Sequence, residues 1–545
     1  MIHDSHICNV LLLVSLSHFG QWFKYLLSRL VWIRNHWPDI RWTTVVGAAG
    51  WWWYEDEDEN GHVEEIIEDS RFTLCPKSRH QVSTISYPIA QDRWSRYQHI
   101  ELVNIIGESG EGMLTRSMAA KLTAASARKK KDDVELFKEQ SKTVARMEAI
   151  RIFFAFVAYM NFIVFQMDVK SAFLNGKLKE EVYVKQPLGF ESSEFPGYVC
   201  KLDKAHCGLK QAPKAWYETL STFLIQNKFV RGRIDNTFFI YRSKGDVLLV
   251  QVYVDDIIFG STNYKLCKQF KKLMTKKFEM SMMGELSYFF GLQIKQDDKG
   301  ISICQEKYTR DLLKKNKISD SFSVKTSMVP PNNLGPDLAS KPVNETLYRG
   351  MIRYQANPKE SHLNAVKRIF MYLKGTSSLG LWYPKCLGFD LKGYSDSNYA
   401  GCNMDKKSTS SACQILGGKL VCWSAKKKQA VAMSLAEAEY VAAAGCCVNI
   451  LWMKSQLIDY DIHYKMVPIF CDNTSAIAIS NNLELHSRTK HIDTRYHFIR
   501  DQILKRDIAL YFIPTQYQLA YIFTKPMDEP TFTRLKAELG MLNID

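Results

Sequence analysis

What the chain lacks narrows it first. No run approaches the ~20 apolar residues that a membrane-spanning helix requires. Ile7–Leu13 is apolar but short, with neither a basic leader nor a clear small-residue cleavage site. A membrane is therefore not an expected partner. The 13 cysteines lie singly or as the neighbours Cys446 and Cys447, with no C-x2-C pair and no knuckle-like Cys/His run. Structural zinc is not expected from such spacing. An odd cysteine count without a secretory signal points to reduced thiols in an intracellular compartment. Acid is in the minority: 72 Lys and Arg stand against 57 Asp and Glu, a formal net charge of +15. That excess fits a polyanionic partner and says nothing of fold.

With 545 residues the chain has room for roughly two to four domains. Residues 1–95 differ from the rest: Trp51-Trp52-Trp53-Tyr54 runs into Glu55–Glu59, and more acids follow through Asp69. Neither helical nor strand periodicity emerges, so this region is expected to be irregular, acidic and partly disordered, with no assigned function. Residues 96–143 read as a linker, small and polar before the basic run Arg128–Lys131.

Regular patterning begins after Glu135. Ala145–Phe165 is apolar enough for a buried helix running into a strand, which ends near Asp168. The stretch Val247–Gly260, VLLVQVYVDDIIFG, is two β-branched runs interrupted by Asp255 and Asp256. It predicts two buried strands joined by an acidic two-residue tip. Adjacent carboxylates repel, and a cation between them relieves the repulsion. Hard oxygen ligands suit Mg²⁺ or Mn²⁺. Taken alone, the pair reads first as a solvated turn, and the rest of the chain reverses that reading. Asp168 is a candidate third ligand. Gly208–Tyr217 offers Lys210, Gln211, Lys214 and two aromatics, a set suited to phosphate and base contacts, or simply a helix start with Pro213 in its first turn. Further on, Leu286–Ile294 and Gly300–Lys307 read as strands, Tyr308–Lys317 as a basic helix and Ser323–Pro342 as a loop.

The three motifs QMDVKSAFLNG, GLKQAPKAWY and YVDDIIFG, in that order, resemble the reverse transcriptase of copia-type retrotransposons. The resemblance implies a polymerase whose metal-binding carboxylates match Asp168, Asp255 and Asp256. It places Phe173 where an aromatic excludes a ribose 2′-hydroxyl, and Gln211 where a glutamine touches the incoming nucleotide, with Lys210 beside it. It also implies fingers and connection segments shortened relative to the family. On this reading residues 144–325 are the reverse transcriptase, palm and partial thumb, and residues 326–385 a truncated connection.

The last part, residues 386–545, again sets acids at element ends. Asp396 closes a short strand, Glu437 and Glu439 open the alanine-rich helix Ala436–Leu457, and Asp472 lies between a strand and a helix. Lys419–Ser424 and Ala430–Ser434 read as strands. Either glutamate is equally explained by the helix dipole. GYSDSN, LAEAEYVAA, IFCDNTSAIA and QLAYIFTKP resemble the ribonuclease H domain of the same family. The resemblance implies a two-ion nuclease with ligands Asp396, Glu439 and Asp472. Tyr521 stands where the family places a fourth carboxylate, which implies a weakened or dead nuclease. His486, Arg488, Lys490 and His491 form a basic cluster that faces either substrate phosphate or solvent.

The expected fold class is α+β: a palm-type polymerase domain followed by a ribonuclease H-like α/β domain. The resemblance implies two Mg²⁺ or Mn²⁺ ions per site. Implied partners are an RNA template, a DNA primer, an RNA–DNA hybrid and deoxynucleoside triphosphates. By the same resemblance the chain works in cytoplasmic particles and the nucleus. The alternative is an inactive nucleic-acid-binding remnant of the same polyprotein. No Asp-Ser-Gly or Asp-Thr-Gly protease signature and no zinc-binding integrase pattern is found; the family carries those activities upstream.

Overall fold

The computed structural model describes residues 42–47, 50–55, 146–186, 193–194, 198–328, 337, 339–351, 357–385, 388–402, 405–482 and 491–544. The linker 96–143 with its basic run, Pro330, Pro331, Pro336, His486, Arg488 and Lys490 lie outside them. Within residues 1–95, where no strand periodicity is expected, the structure describes one local strand pair. β1 (Trp42–Gly47) and β2 (Gly50–Glu55) form an antiparallel hairpin in which Gly47 pairs with Gly50. Valine, threonine and tryptophan favour pleated backbone, and glycines flank the turn. The acidic block that follows masks this signal in the sequence.

The remaining described elements are mixed α+β. α1 (Met147–Tyr159) contains no glycine or proline and is buried from Ile150 through Ala158. An apolar helix of that kind belongs inside a core. It leads into β3 (Ile163–Val169), and after the short pair β4 (Tyr183–Lys185) and β5 (Val199–Lys201) comes α2 (Ala212–Gln226). Then follow β6 (Val230–Arg231), β7 (Phe238–Ser243), β8 (Asp246–Tyr253), β9 (Asp256–Ser261), α3 (Tyr264–Lys277) and β10 (Met280–Glu285). Six of these strands make one antiparallel sheet in the order β10-β3-β9-β8-β7-β6. α2 and α3 cover one face through Trp216, Leu220, Leu224, Phe270 and Met274.

β11 (Tyr288–Phe289), β12 (Leu292–Gln296) and β13 (Gly300–Cys304) precede α4 (Glu306–Lys315), α5 (Glu345–Met351), α6 (Glu360–Gly375) and β14 (Leu379–Pro384). The third region contains β15 (Leu391–Asn398), β16 (Thr409–Leu416), β17 (Lys419–Lys427), α7 (Leu435–Ile458), β18 (Val467–Cys471), α8 (Thr474–Asn481), α9 (Phe498–Leu504), β19 (Ile508–Phe512) and α10 (Glu529–Glu538). Its sheet runs β17-β16-β15-β18-β19, antiparallel on the β17 side and parallel across β15, β18 and β19. Ala430–Ser434, expected as a strand, is a loop instead. Ser434 there accepts a hydrogen bond from the Glu437 amide and caps α7. α7 is long and apolar enough, by length and composition, to cross a membrane. In this fold Ala443, Ala444, Cys446, Cys447 and Ile450 of this helix are buried in the core. β20 (Met541–Asn543) returns to pair with β14, completing an antiparallel sheet in the order β11-β12-β13-β14-β20.

The six-stranded and mixed sheets are joined at the end of α7. Asp459 follows its last turn, where a negative charge opposes the helix dipole. Its carboxylate is stabilised by the amides of Arg233, Ile234 and Asp235, at 2.8, 3.0 and 3.0 Å. Next to it Tyr460 stacks on Phe238 with ring centroids 4.5 Å apart. Replacing Asp459 with Ala leaves three amides without that acceptor and is expected to cost about 2 kcal/mol. Asp459→Asn should recover part of it. Urea unfolding measures this, and a change below about 0.5 kcal/mol would be that of an ordinary surface position.

Candidate functional site

The first acidic site is built by strand register. β3 pairs with β9 so that Asp168 lies directly opposite Asp256. β8 pairs with β9 so that Tyr253 faces Asp256, which makes Val254-Asp255 the two-residue turn. The hairpin therefore forms as expected, with its tip one residue earlier. Asp255 occupies the turn, whereas Asp256 begins β9 and is buried. Val254 carries φ 55°, a conformation that a β-branched residue adopts only when its surroundings impose it. Two contacts do so. The Trp216 indole donates to the Val254 carbonyl at 2.6 Å, and the Val169 amide donates to the Asp255 carbonyl at 2.9 Å. Gln166, two residues before Asp168 on the same face of β3, donates to Asp256 Oδ1 at 3.0 Å. Gly176 lets the chain after β3 lie against α2: a Cβ there would sit 2.7 Å from the Trp216 nitrogen.

Phe173 lies half-buried in the 3-10 turn Ala172–Asn175, five residues beyond Asp168. Gln211 is the residue before α2, with Pro213 in the first turn of that helix, so the helix-start reading of this motif holds as well. Lys210 and Lys214 are exposed.

The second acidic site lies on the mixed sheet. Asp396 sits on β15 and is 1 % exposed; Glu439 projects from the first turns of α7 and is 3 % exposed. Asp472 follows β18, with the Thr515 hydroxyl donating to it at 2.8 Å. The Ser397 amide donates to Glu439 Oε1 at 2.9 Å, and the Thr524 hydroxyl donates to Asp396 Oδ2. Asp396 Oδ1 and Glu439 Oε2 are buried without a hydrogen-bond partner. Burial, reinforced by the charges of Asp396 and Asp472, pushes the Glu439 carboxyl up to about 9. Burial raises Asp396 too, while Lys525 and Thr524 pull it down. Two orphaned carboxylate oxygens are what a divalent cation would satisfy, so this donor set fits one. Glu439, Cys471 and Asp472 each bring one ligand atom within 4.8 Å of the others. Burial lifts the Cys471 thiol to about 12, leaving it a neutral neighbour of the carboxylates.

Glu437 does not join this set. It accepts from the Met433 amide at 2.7 Å and pairs with His491 at 3.2 Å. His491 is thereby engaged by an acid on α7. Tyr521 lies in the 3-10 turn Leu519–Phe523, with the Lys525 ammonium 4.6 Å over its ring. Gln518 fastens that turn beside the site, donating to the carbonyls of Ser395 and Phe470. Sequence reasoning missed Gln166, Thr515, Thr524 and Lys525, because neutral or lone basic residues near an element end carry no pattern of their own.

The raised carboxyl groups have a measurable consequence. In EDTA the folded chain keeps protons that the unfolded chain releases, so stability should fall as pH rises from about 4.5 towards about 9. Mg²⁺ or Mn²⁺ should remove most of that slope. Urea midpoints along the pH range, with and without the ion, test this; a slope unaffected by either ion would count against metal binding here.

Residues 120–330 match the reverse transcriptase (RNA-dependent DNA polymerase) family model. The chain is 33% identical over 430 residues to the Retrovirus-related Pol polyprotein from transposon RE2 of Arabidopsis thaliana, covering 75% of this chain and 30% of that protein. It is 30% identical over 470 residues to the corresponding polyprotein from transposon TNT 1-94 of Nicotiana tabacum, covering 80% and 35%. The chain thus spans about a third of the length of these relatives. Among solved structures, the N-terminal RNase H domain of a Mycobacterium tuberculosis protein, fused to maltose-binding protein, matches with 7% identity and a TM-score of 0.18, covering 28% of this chain and 98% of that one. A foamy viral protease-reverse transcriptase in complex with double-stranded DNA matches with 12% identity and a TM-score of 0.17, covering 67% and 61%. Scores this low carry no argument about the fold. The sequence relationships suffice: residues 120–330 are a domain of the reverse transcriptase family, in a chain homologous to the Pol polyproteins of copia-type retrotransposons.

Proposed function

We propose that residues 144–325 are an RNA-directed DNA polymerase that extends a DNA primer on an RNA template from deoxynucleoside triphosphates. The observation that carries this is the register that sets Asp168 against Asp256, with Asp255 on the strained turn that leads into β9. Three carboxylates at one sheet end form an all-oxygen donor set of the kind Mg²⁺ or Mn²⁺ requires. When bound, two such ions would supply the Lewis acidity that activates a primer 3′-hydroxyl and offsets charge on the triphosphate. The chain's own residues do the positioning. Gln166 orients Asp256, and Trp216 holds the turn in a conformation its valine would not choose. Phe173 and Gln211 would serve as sugar and nucleotide contacts, and the exposed Lys210 and Lys214 would meet phosphate.

Residues 386–545 are, on the same reading, a ribonuclease H-like domain whose Asp396, Glu439 and Asp472 would hold the metal that serves hybrid cleavage. Tyr521, capped by Lys525, argues that this half binds hybrid better than it cuts it. Primer extension on poly(rA)–oligo(dT) in Mg²⁺ and in Mn²⁺ tests the polymerase reading. Folded protein that extends in neither ion would leave the alternative, a binding remnant.

A further inference from the structure

A pocket that opens to solvent lies among α1, the antiparallel five-stranded sheet, α6, β17 and α10. Arg151 of α1 lines it and is 4 % exposed. Its Nη1 donates to the Val421 carbonyl at 3.3 Å, and its guanidinium lies 3.8 Å from the Trp423 ring centroid. Among the described residues it forms no ion pair, and Nε and Nη2 make no hydrogen bond. A guanidinium this buried normally has a carboxylate. The second cation on the wall, Lys536, is half-buried near the rings of Tyr372 and Phe532, donates to the Tyr372 hydroxyl at 3.4 Å, and among the described residues has no acidic partner. Burial pulls both groups below their ordinary values. Among the described residues no Asp or Glu lines the cavity; leucine, isoleucine and aromatic residues make up most of the rest.

We propose that this cavity is a binding site for a small aromatic carboxylate. The carboxylate would lie on the free Nε–Nη2 edge of Arg151 with Lys536 near the mouth, and the ring against Trp423 and Tyr372. The guanidinium fork matches the two oxygens of a carboxylate, and a carboxylate satisfies both cations without adding a second buried charge. A phosphate dianion suits the walls less, because desolvating it against apolar side chains costs more. Flat apolar bodies fit a cavity walled by rings. None of the acidic residues of either cluster lines the site, and the inference does not depend on the polymerase reading.

Isothermal titration of the full chain with 2-naphthoate tests it, with 2-naphthalenemethanol as the uncharged match and inorganic phosphate as competitor. The carboxylate should bind at least about tenfold more tightly than the alcohol. Arg151→Met should weaken it by about tenfold or more. Lys536→Gln, at a half-buried position, should weaken it less and leave the melting temperature unchanged. The proposal fails if the folded wild-type chain binds no naphthoate, if alcohol and carboxylate bind alike, if phosphate displaces naphthoate at lower concentration than naphthoate itself binds, or if Lys536→Gln, still folded, and Arg151→Met both bind as wild type does.

Discussion

Asp255→Asn combined with Asp256→Asn abolishes metal-dependent primer extension, by about 10³-fold or more, while the protein melts at the same temperature or higher. The two halves of this expected result have one cause. In the absence of metal, Asp256 is a buried carboxylate facing another across a strand pair, with Asp255 beside it. Such an arrangement destabilises the fold, since like charges repel and burial disfavours them. Asparagine keeps the shape, and its amide oxygen still accepts from Gln166, but the repulsion and the affinity for a divalent ion go together. Reactions that rest on positioned ions lose most of their rate with the ligands. A variant that extends primers at a tenth of the wild-type rate would mean that the chemistry lies elsewhere. A variant that unfolds would mean that the turn, strained at Val254, depends on these acids for its shape. Gln166→Leu separates these outcomes, since it disturbs Asp256 without removing charge.

The second large effect is a gain. Tyr521→Asp should raise cleavage of the RNA strand in a hybrid by about 10²-fold, because a further carboxylate would join a set in which Asp396 and Glu439 already present unsatisfied oxygens. Lys525 complicates it. Its ammonium now lies over the Tyr521 ring, and a new aspartate would attract it. Tyr521→Asp with Lys525→Gln is therefore the stricter form, and no gain in either would refute the explanation that Tyr521 silences the nuclease. Loss of the half-buried ring should cost about 1 kcal/mol of stability, which a thermal melt would register separately.

The acidic sites were legible to different degrees. Asp255 and Asp256 stand out because charge interrupts two β-branched runs, and periodicity alone gives the hairpin. What no periodicity gives is the register, and a shift of one residue decides that Asp256, not Asp255, faces Asp168. Glu437 and Glu439 look alike in sequence, both acids at a helix start. The structure separates them by direction: Glu437 turns back onto the Met433 amide and His491, Glu439 inward onto Ser397. His491 was readable as one of a basic cluster but not as a partner of Glu437, which lies far away along the chain. Gln166 and Thr524 left no trace, because a neutral donor becomes visible only once its acceptor has been placed. The hairpin β1–β2 was hidden by its neighbours: composition averaged over a window hides a short strand pair followed by an acid block.

The pairing of β20 with β14 bears on how the chain is made. Both strands belong to one sheet, yet the whole of the mixed sheet is translated between them. On the ribosome, β14 must wait as an open edge, its unpaired backbone available to any other strand, until β20 emerges. Contacts so distant in sequence form late and slowly. The two acidic sites thus do not sit on separately maturing units: the first half is finished only when the second half hands back its final strand.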